Sequence, residues 1–204
     1  MLPTHEIAVD RTHEIARVSP EAVVTGAAVT VGLAGLLLWA LRRDRTMQQP
    51  GGMQQIEEEL EVNVPVSTAY NQWTQFEEFP RFMTSVEEVR QIDDSHLHWR
   101  AKVAGKTKEW DAEIVQQIPD QVIEWRSTSG TPNGGMVTFD KVSENKTRVK
   151  LHMWYEPETA DERIGGLLGG VKLTAKGNLK HFKQLVERMG AETGAWRGEI
   201  APQH

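Results

Sequence analysis

Cysteine is absent from this chain of 204 residues. That excludes disulfides, thiol catalysis and cysteine-ligated zinc, and it fits a reducing compartment. A basic excess is missing too: 23 Lys and Arg stand against 29 Asp and Glu, a formal net charge of -6. Nucleic-acid binding usually demands a basic patch, so no nucleic acid is expected as a partner. Tyrosine is scarce, with two residues, yet seven tryptophans are present. A buried indole wants a partner for its N–H, so where the tryptophans fall carries information. The rest of the composition, 39% hydrophobic and 25% charged, is ordinary for a chain that buries a core. The length suits one domain plus an appendage.

Residues 1–21 form a polar tail in which THEIA occurs at 4–8 and again at 12–16. His5, Glu6, His13 and Glu14 suggest a metal site, but the zinc-helix spacing fails because Val9 stands four residues after His5. No metal is expected. Residues 22–41, AVVTGAAVTVGLAGLLLWAL, carry no charge. Twenty helical residues span roughly the 30 Å of a bilayer's hydrocarbon core. Trp39 lies near one end, and Arg42, Arg43 and Arg45 follow. The positive-inside rule then predicts a single-pass cell-membrane protein with its C-terminal domain cytoplasmic. A signal peptide fits poorly, since no basic segment precedes the apolar run. The alternative is an apolar helix that packs against protein. Ala28 and Gly32 make a small-xxx-small pair that supports a homo-oligomer through this helix. Residues 46–53 read as a linker broken at Pro50-Gly51-Gly52, and residues 54–190 as the folded domain. The acidic excess lies in that domain, so any membrane attachment is expected from 22–45.

Within the domain, Ile56, Leu60, Val62 and Val64 alternate as a first strand. Ser67 reads as an N-cap, and the segment 67–83, interrupted by Pro80, predicts two short helices. Strand-like alternation follows over 86–92, 96–104, 107–118, 121–128, 135–142 and 146–156. Turn residues separate these runs, including Gly105-Lys106, Pro119-Asp120 and Pro132-Asn133-Gly134-Gly135. Short connections imply an antiparallel meander. From about 161 to 190 the apolar positions recur in steps of three and four, which predicts one long amphipathic helix closed by Gly190. Residues 191–204 read as a loose tail in which Trp196 has no evident role. The prediction is an α+β fold: a curved antiparallel sheet wrapped around a long C-terminal helix, with an additional N-terminal apolar helix.

Strand parity sorts side chains by face. Leu97, Trp99, Ala101 and Val103, then Trp110, Ala112 and Ile114, then Ile123, Trp125 and Ser127, and Val149, Leu151, Met153 and Tyr155 should face the long helix. The polar groups expected to face inward are Ser127, Gln116, Tyr155 and Thr138, with no carboxylate, histidine or lysine among them. His96, His98 and His152 fall on the outer parity. Acid–base catalysis needs a titratable group in the cavity, so no catalytic residue is assigned. Glu57-Glu58-Glu59 reads as a solvated edge. The glycines of RIGGLLGGVKL, 163–173, lack the lysine–serine/threonine of a phosphate-binding loop.

The element order, and the segments VPVSTAYNQWTQFEEFPRFM (64–83), HWRAKVAGKTKEWDAEIVQQIPDQVIEWRS (98–127), GGMVTFDKV (134–142), TRVKLHMWYEP (147–157) and LKHFKQLVERM (179–189), resemble the START-like, Bet v 1-like helix-grip superfamily. The chain is most similar to the bacterial polyketide cyclase/dehydrase proteins of its SRPBCC group, beside the coenzyme Q-binding members. The resemblance covers about 54–190 and implies a hydrophobic ligand cavity; it does not by itself imply cyclase chemistry. The expected ligand-binding residues are Trp73, Phe76, Phe79, Phe82, Met83, Trp99, Trp110, Ile114, Trp125, Ser127, Met153, Tyr155, Leu168 and Val171. The expected function is to bind and shield a hydrophobic small molecule, such as a quinone, isoprenoid, polyketide or lipid, at a bacterial membrane. Apolar burial at about 25 cal/mol per Å² supports this without a cofactor, and none is expected. The alternatives are an aromatase/cyclase-type enzyme acting on a polyketide, and an assembly protein that docks a partner through residues 1–45.

Overall fold

The computed structural model describes residues 53–103, 105–156 and 166–202, with the backbone alone for 166–169. The chain divides into two compact units, Met1–Gln48 and Gln49–His204. The first unit, with the THEIA repeat and the expected span at 22–41, lies outside the described residues. Among the described residues, no helix is long and apolar enough to cross a membrane.

Seven strands follow the predicted alternation: β1 (Gln54–Val62), β2 (Val86–Gln91), β3 (His96–Val103), β4 (Lys106–Ile118), β5 (Val122–Ser127), β6 (Asn133–Ser143) and β7 (Lys146–Tyr155). All pairs are antiparallel, in the order β1-β7-β6-β5-β4-β3-β2. Consecutive strands pair because their connections are short, while β1 reaches β7 from the far edge. Between β1 and β2 lie α1 (Val66–Trp73) and a 3-10 turn (Phe76–Arg81) that contains Pro80. The cap of α1 is Pro65 rather than Ser67, and no side chain caps the helix. The long helix α2 (Gly166–Met189) ends where expected: Gly190 has φ +67° and its N–H donates to Val186 O at 3.0 Å. A left-handed residue there favours glycine, which has no Cβ to clash.

The core lies between the concave face of the sheet and α2, which packs chiefly on β1. Ala175, Leu179, Phe182 and Val186 of α2 are buried in one helical stripe. Phe182 meets Trp73 edge to face, with centroids 4.8 Å apart. Side chains of this size each contribute about 1.5–3 kcal/mol on full burial.

Two departures from the expected strands have physical causes. Gly134 and Gly135 belong to β6 rather than to a turn. The indoles of Trp154 and Trp125 lie against them; a Cβ on either glycine would come within 2.6 Å of a ring carbon. Small residues here let each ring cover the strand backbone. The second departure is a bulge in β4 between Ile114 and Gln116, which shifts the register against β5. An extra residue in one strand reverses parity beyond it. Gln117 therefore turns inward and is buried, donating through Nε2 to Tyr70 Oη at 3.0 Å, while Gln116 pairs with Glu124 of the outer face. Thr138 also lies outward, opposite Val122 and Lys150.

The C-terminal segment is not loose over its described part. β3 starts at His96, opposite Glu113, so the edge of β4 beyond Ile114 is left uncovered. Ile200 fills it through two hydrogen bonds with Gln117, at 2.8 and 2.9 Å. Arg197 reaches both carboxylate oxygens of Asp120, at 3.0 and 2.7 Å, and lies over the Tyr70 ring. Trp196, the tryptophan without an evident role, donates its indole N–H to Asp94 at 3.3 Å.

Candidate functional site

The concave face leaves space where α2 stands away from β3, β4 and β5. An inner cavity of about 90 Å³ is walled by the sheet, by α1 and the 3-10 turn, and by Ala175, Asn178 and Leu179 of α2. Nine of the expected ligand-binding residues line it: Trp73, Phe76, Phe79, Met83, Trp99, Trp110, Ile114, Trp125 and Met153. An adjoining outer cavity of about 330 Å³ shares Trp110, Asn133 and Met153 with the inner one and adds Tyr155 and Val171.

Two residues of the expected set, Phe82 and Ser127, line neither cavity. Phe82 is buried against Trp73 and Phe182 and serves the core. The Ser127 hydroxyl accepts from the backbone N–H of Asn133 at 3.0 Å, so it holds the start of β6. The side chain of Leu168 lies outside the described residues.

The lining has a gradient of polarity. Around the inner cavity stand aromatic rings, aliphatic side chains and two asparagines, Asn133 and Asn178, with no ionisable side chain among the described residues. Trp99 and Trp110 face each other across β3 and β4, stacked with centroids 5.7 Å apart and planes 8° apart. Phe79 approaches Trp99 edge-on at 5.6 Å. The outer cavity adds Lys102, Lys108 and Glu156.

Lys108 corrects the expectation that no lysine faces inward. It stands opposite Ala101, on the face that carries Trp99 and Trp110, because the parity of β4 runs unbroken back from Trp110. A carboxylate faces inward as well. Glu58 pairs with Leu151, its side chain is only 13% exposed, and its Oε1 lies 3.9 Å from Lys172 Nζ. The run Glu57-Glu58-Glu59 is thus not wholly a solvated edge, since strand alternation turns its middle member under the helix. Glu58 lines neither cavity. The histidines stay outside as expected: His98 meets Asp111 at 2.8 Å on the convex face, where Ser129 also donates to Asp111. That contact and the Ser129 hydrogen bond hold the Asp111 carboxyl below its usual range. Among the described residues, no cluster of His, Asp or Glu could hold a metal ion.

Sequence reasoning missed Asn133, the first residue of β6, and Asn178 on α2. A cavity-facing asparagine at a helical stripe position is the signal that could have found Asn178: the stripe from Ala175 to Leu179 brackets it.

Residues 62–183 match the family described as polyketide cyclase / dehydrase and lipid transport. The chain belongs to that family. A 17.2 kDa protein of Streptomyces lincolnensis, itself uncharacterised, is 47% identical over 149 residues, covering 72% of this chain and 99% of its own. Among solved structures, the Zhui aromatase/cyclase from Streptomyces sp. R1128 superposes with a TM-score of 0.58 at 14% identity, over 71% of this chain and 99% of its own. A START superfamily protein from Mycobacterium smegmatis gives 0.54 at 15% identity, over 68% and 97%. At these identities the structural likeness establishes the fold, which is the START-like helix-grip fold, and leaves the activity to the site.

Proposed function

We propose that this family member binds a hydrophobic small molecule, such as a quinone, isoprenoid, polyketide or lipid, and shields it from water at a bacterial membrane. The observation that carries the reading is the aromatic cavity between α2 and β3–β5, whose inner part offers no ionisable side chain among the described residues. Pockets of this kind bind through apolar burial and use a few polar groups for orientation. Residues 22–41 are the proposed tether, with the domain on the cytoplasmic side. Tethering raises the effective concentration of the domain where such ligands partition.

Solvent extraction and mass spectrometry of the full-length chain, purified from its own host, test the ligand. A stoichiometric apolar compound supports the reading; protein that is consistently empty and takes up no apolar probe removes it. Fractionation tests the tether: the full-length chain should sediment with membranes, and a shortened chain starting at Gly51 should not. Equal solubility of the two in salt-free buffer contradicts the tether.

One observation favours a second reading, an aromatase/cyclase-type enzyme acting on a polyketide. Lys108 puts an ammonium on the concave face, two residues along β4 from Trp110. Turnover of a polyketide that is lost in Lys108→Met, with binding retained, supports the enzyme; binding without turnover supports the carrier.

A further inference from the structure

The inner cavity holds about 90 Å³, well below the roughly 300–1,000 Å³ of a small-molecule site. A guest that passes from the outer cavity to the inner one must therefore push a wall aside. The sheet wall is laddered by hydrogen bonds across all seven strands, and α2 runs for 24 residues. The wall formed by α1 is slighter: eight residues, begun at Pro65, with no side-chain cap. Its Trp73 lines the cavity, and Phe76 follows in the 3-10 turn.

The outer face of α1 is polar, and the C-terminal strap, residues 191–202, lies on it. Asn71 donates to Glu192 and accepts from Arg197, both at 2.8 Å. Gln72 accepts from the backbone N–H of Thr193 at 3.0 Å, and the Thr74 hydroxyl accepts from that of Trp196 at 3.1 Å. Asn71, Gln72 and Thr74 are all buried, yet no residue of the strap is. Farther along, Ile200 pairs with Gln117 of β4, whose side chain holds Tyr70 of α1. One strap thus ties the end of α2 to α1 and to β4, three walls of the inner cavity. Its seat is polar, so undocking exposes groups that water satisfies; an apolar seat would resist release. Exposed segments with such contacts open locally at low cost.

We propose that the strap is a reversible latch on the inner cavity. Docked, it holds α1 and Trp73 against the sheet; released, it frees α1 to admit or discharge the ligand. This rests on the ligand-binding reading above and adds its control. A latch sets rates in both directions, because entry and exit both wait for opening. Loss of packing instead weakens binding through faster exit, without speeding entry.

The chain has no cysteine, so a single disulfide can lock the latch. Gln117 and Ile200 exchange both backbone hydrogen bonds, a pairing that sets Cα atoms about 5.5 Å apart, within disulfide reach. The full-length variant Gln117→Cys/Ile200→Cys, once oxidised, should take up and release Nile red at least about tenfold more slowly than the same protein reduced. Stopped-flow fluorescence reads both rates. Arg197→Ala/Ile200→Pro unfastens the strap and alters no residue that lines either cavity. Its uptake and release should each quicken at least about threefold, with the Kd within about threefold of the wild type. Equal rates in the oxidised and reduced forms overturn the latch while the ligand reading stands. So does a release variant whose Kd weakens with no faster uptake. Failure of every form to bind Nile red, wild type included, overturns the ligand reading and the latch with it. The locked form is compared with its own reduced form, so loss of the Gln117 amide cancels. The release variant decides where no disulfide forms.

Discussion

Trp99 and Trp110 stand directly opposite on neighbouring strands and stack with their planes 8° apart, both lining the inner cavity. Trp125 lines the same cavity from β5, opposite Ile114 and Gly135 rather than beside the stacked pair. The stack and the lone ring are set by different means. The stack is a cross-strand aromatic pair, worth roughly 0.2–1 kcal/mol. Trp125 is seated by a glycine.

That seat is a prediction. In Gly135→Val the new side chain collides with the Trp125 ring, since a Cβ there already comes within 2.6 Å of Cζ2. Overpacking of this kind costs about 1–3 kcal/mol. Chemical denaturation should show that loss, and apolar-probe affinity should fall because the displaced indole moves into the cavity. An unchanged midpoint would contradict the close packing.

The C-terminal strap is the second. Arg197→Ala removes a bidentate pair with Asp120, a hydrogen bond to Asn71 and a cation–π contact with Tyr70. The group is partly exposed, so the expected loss is about 1 kcal/mol. Ending the chain at Gly190 should cost more, because the edge of β4 near Gln117 is bared as well. Hydrogen exchange at the Gln117 amide measures this directly: fast in the shortened chain, slow in the intact one.

A third prediction concerns pH. Burial pushes the Glu124 carboxyl above its usual 4.5, on the convex face between Gln116 and Met136. A raised carboxylate binds its proton more tightly in the folded chain. Its contribution to stability is present below the unfolded value and is lost as pH rises through the folded one. Glu124→Gln should therefore stabilise the protein at pH 7 and converge with the wild type at pH 3. Denaturation midpoints at the two values check the sign; a variant less stable at pH 7 contradicts it.

The strand pattern makes most of this fold legible in the sequence. Alternation placed β3, β5 and β7 within two residues of their observed limits, and the helical stripe ending at Gly190 placed α2. The failures have local causes. A bulge leaves no mark on composition, so the inward position in β4 was assigned to Gln116 instead of Gln117. Two adjacent glycines signal a turn as readily as the seats of two indoles, and only tertiary packing on Trp125 and Trp154 decides between them. Lys108 sits among the polar residues of the β3–β4 hairpin, where composition hides the inward parity it shares with Trp110. The strap at 191–202 could not be read, since its contacts with Asn71, Asp94, Gln117 and Asp120 are all long-range.

The central claim is that an apolar ligand occupies the cavity beneath α2, and Ala175 gives the most direct test. Ala175 is buried and lines the inner cavity from the helix. Ala175→Leu adds three carbons into a space of about 90 Å³ and suits the helix, so the melting temperature should hold or rise. The dissociation constant of the full-length variant for an apolar probe such as Nile red should increase at least about tenfold over the wild type. A variant equally stable and equally able to bind would place the ligand elsewhere and contradict the account.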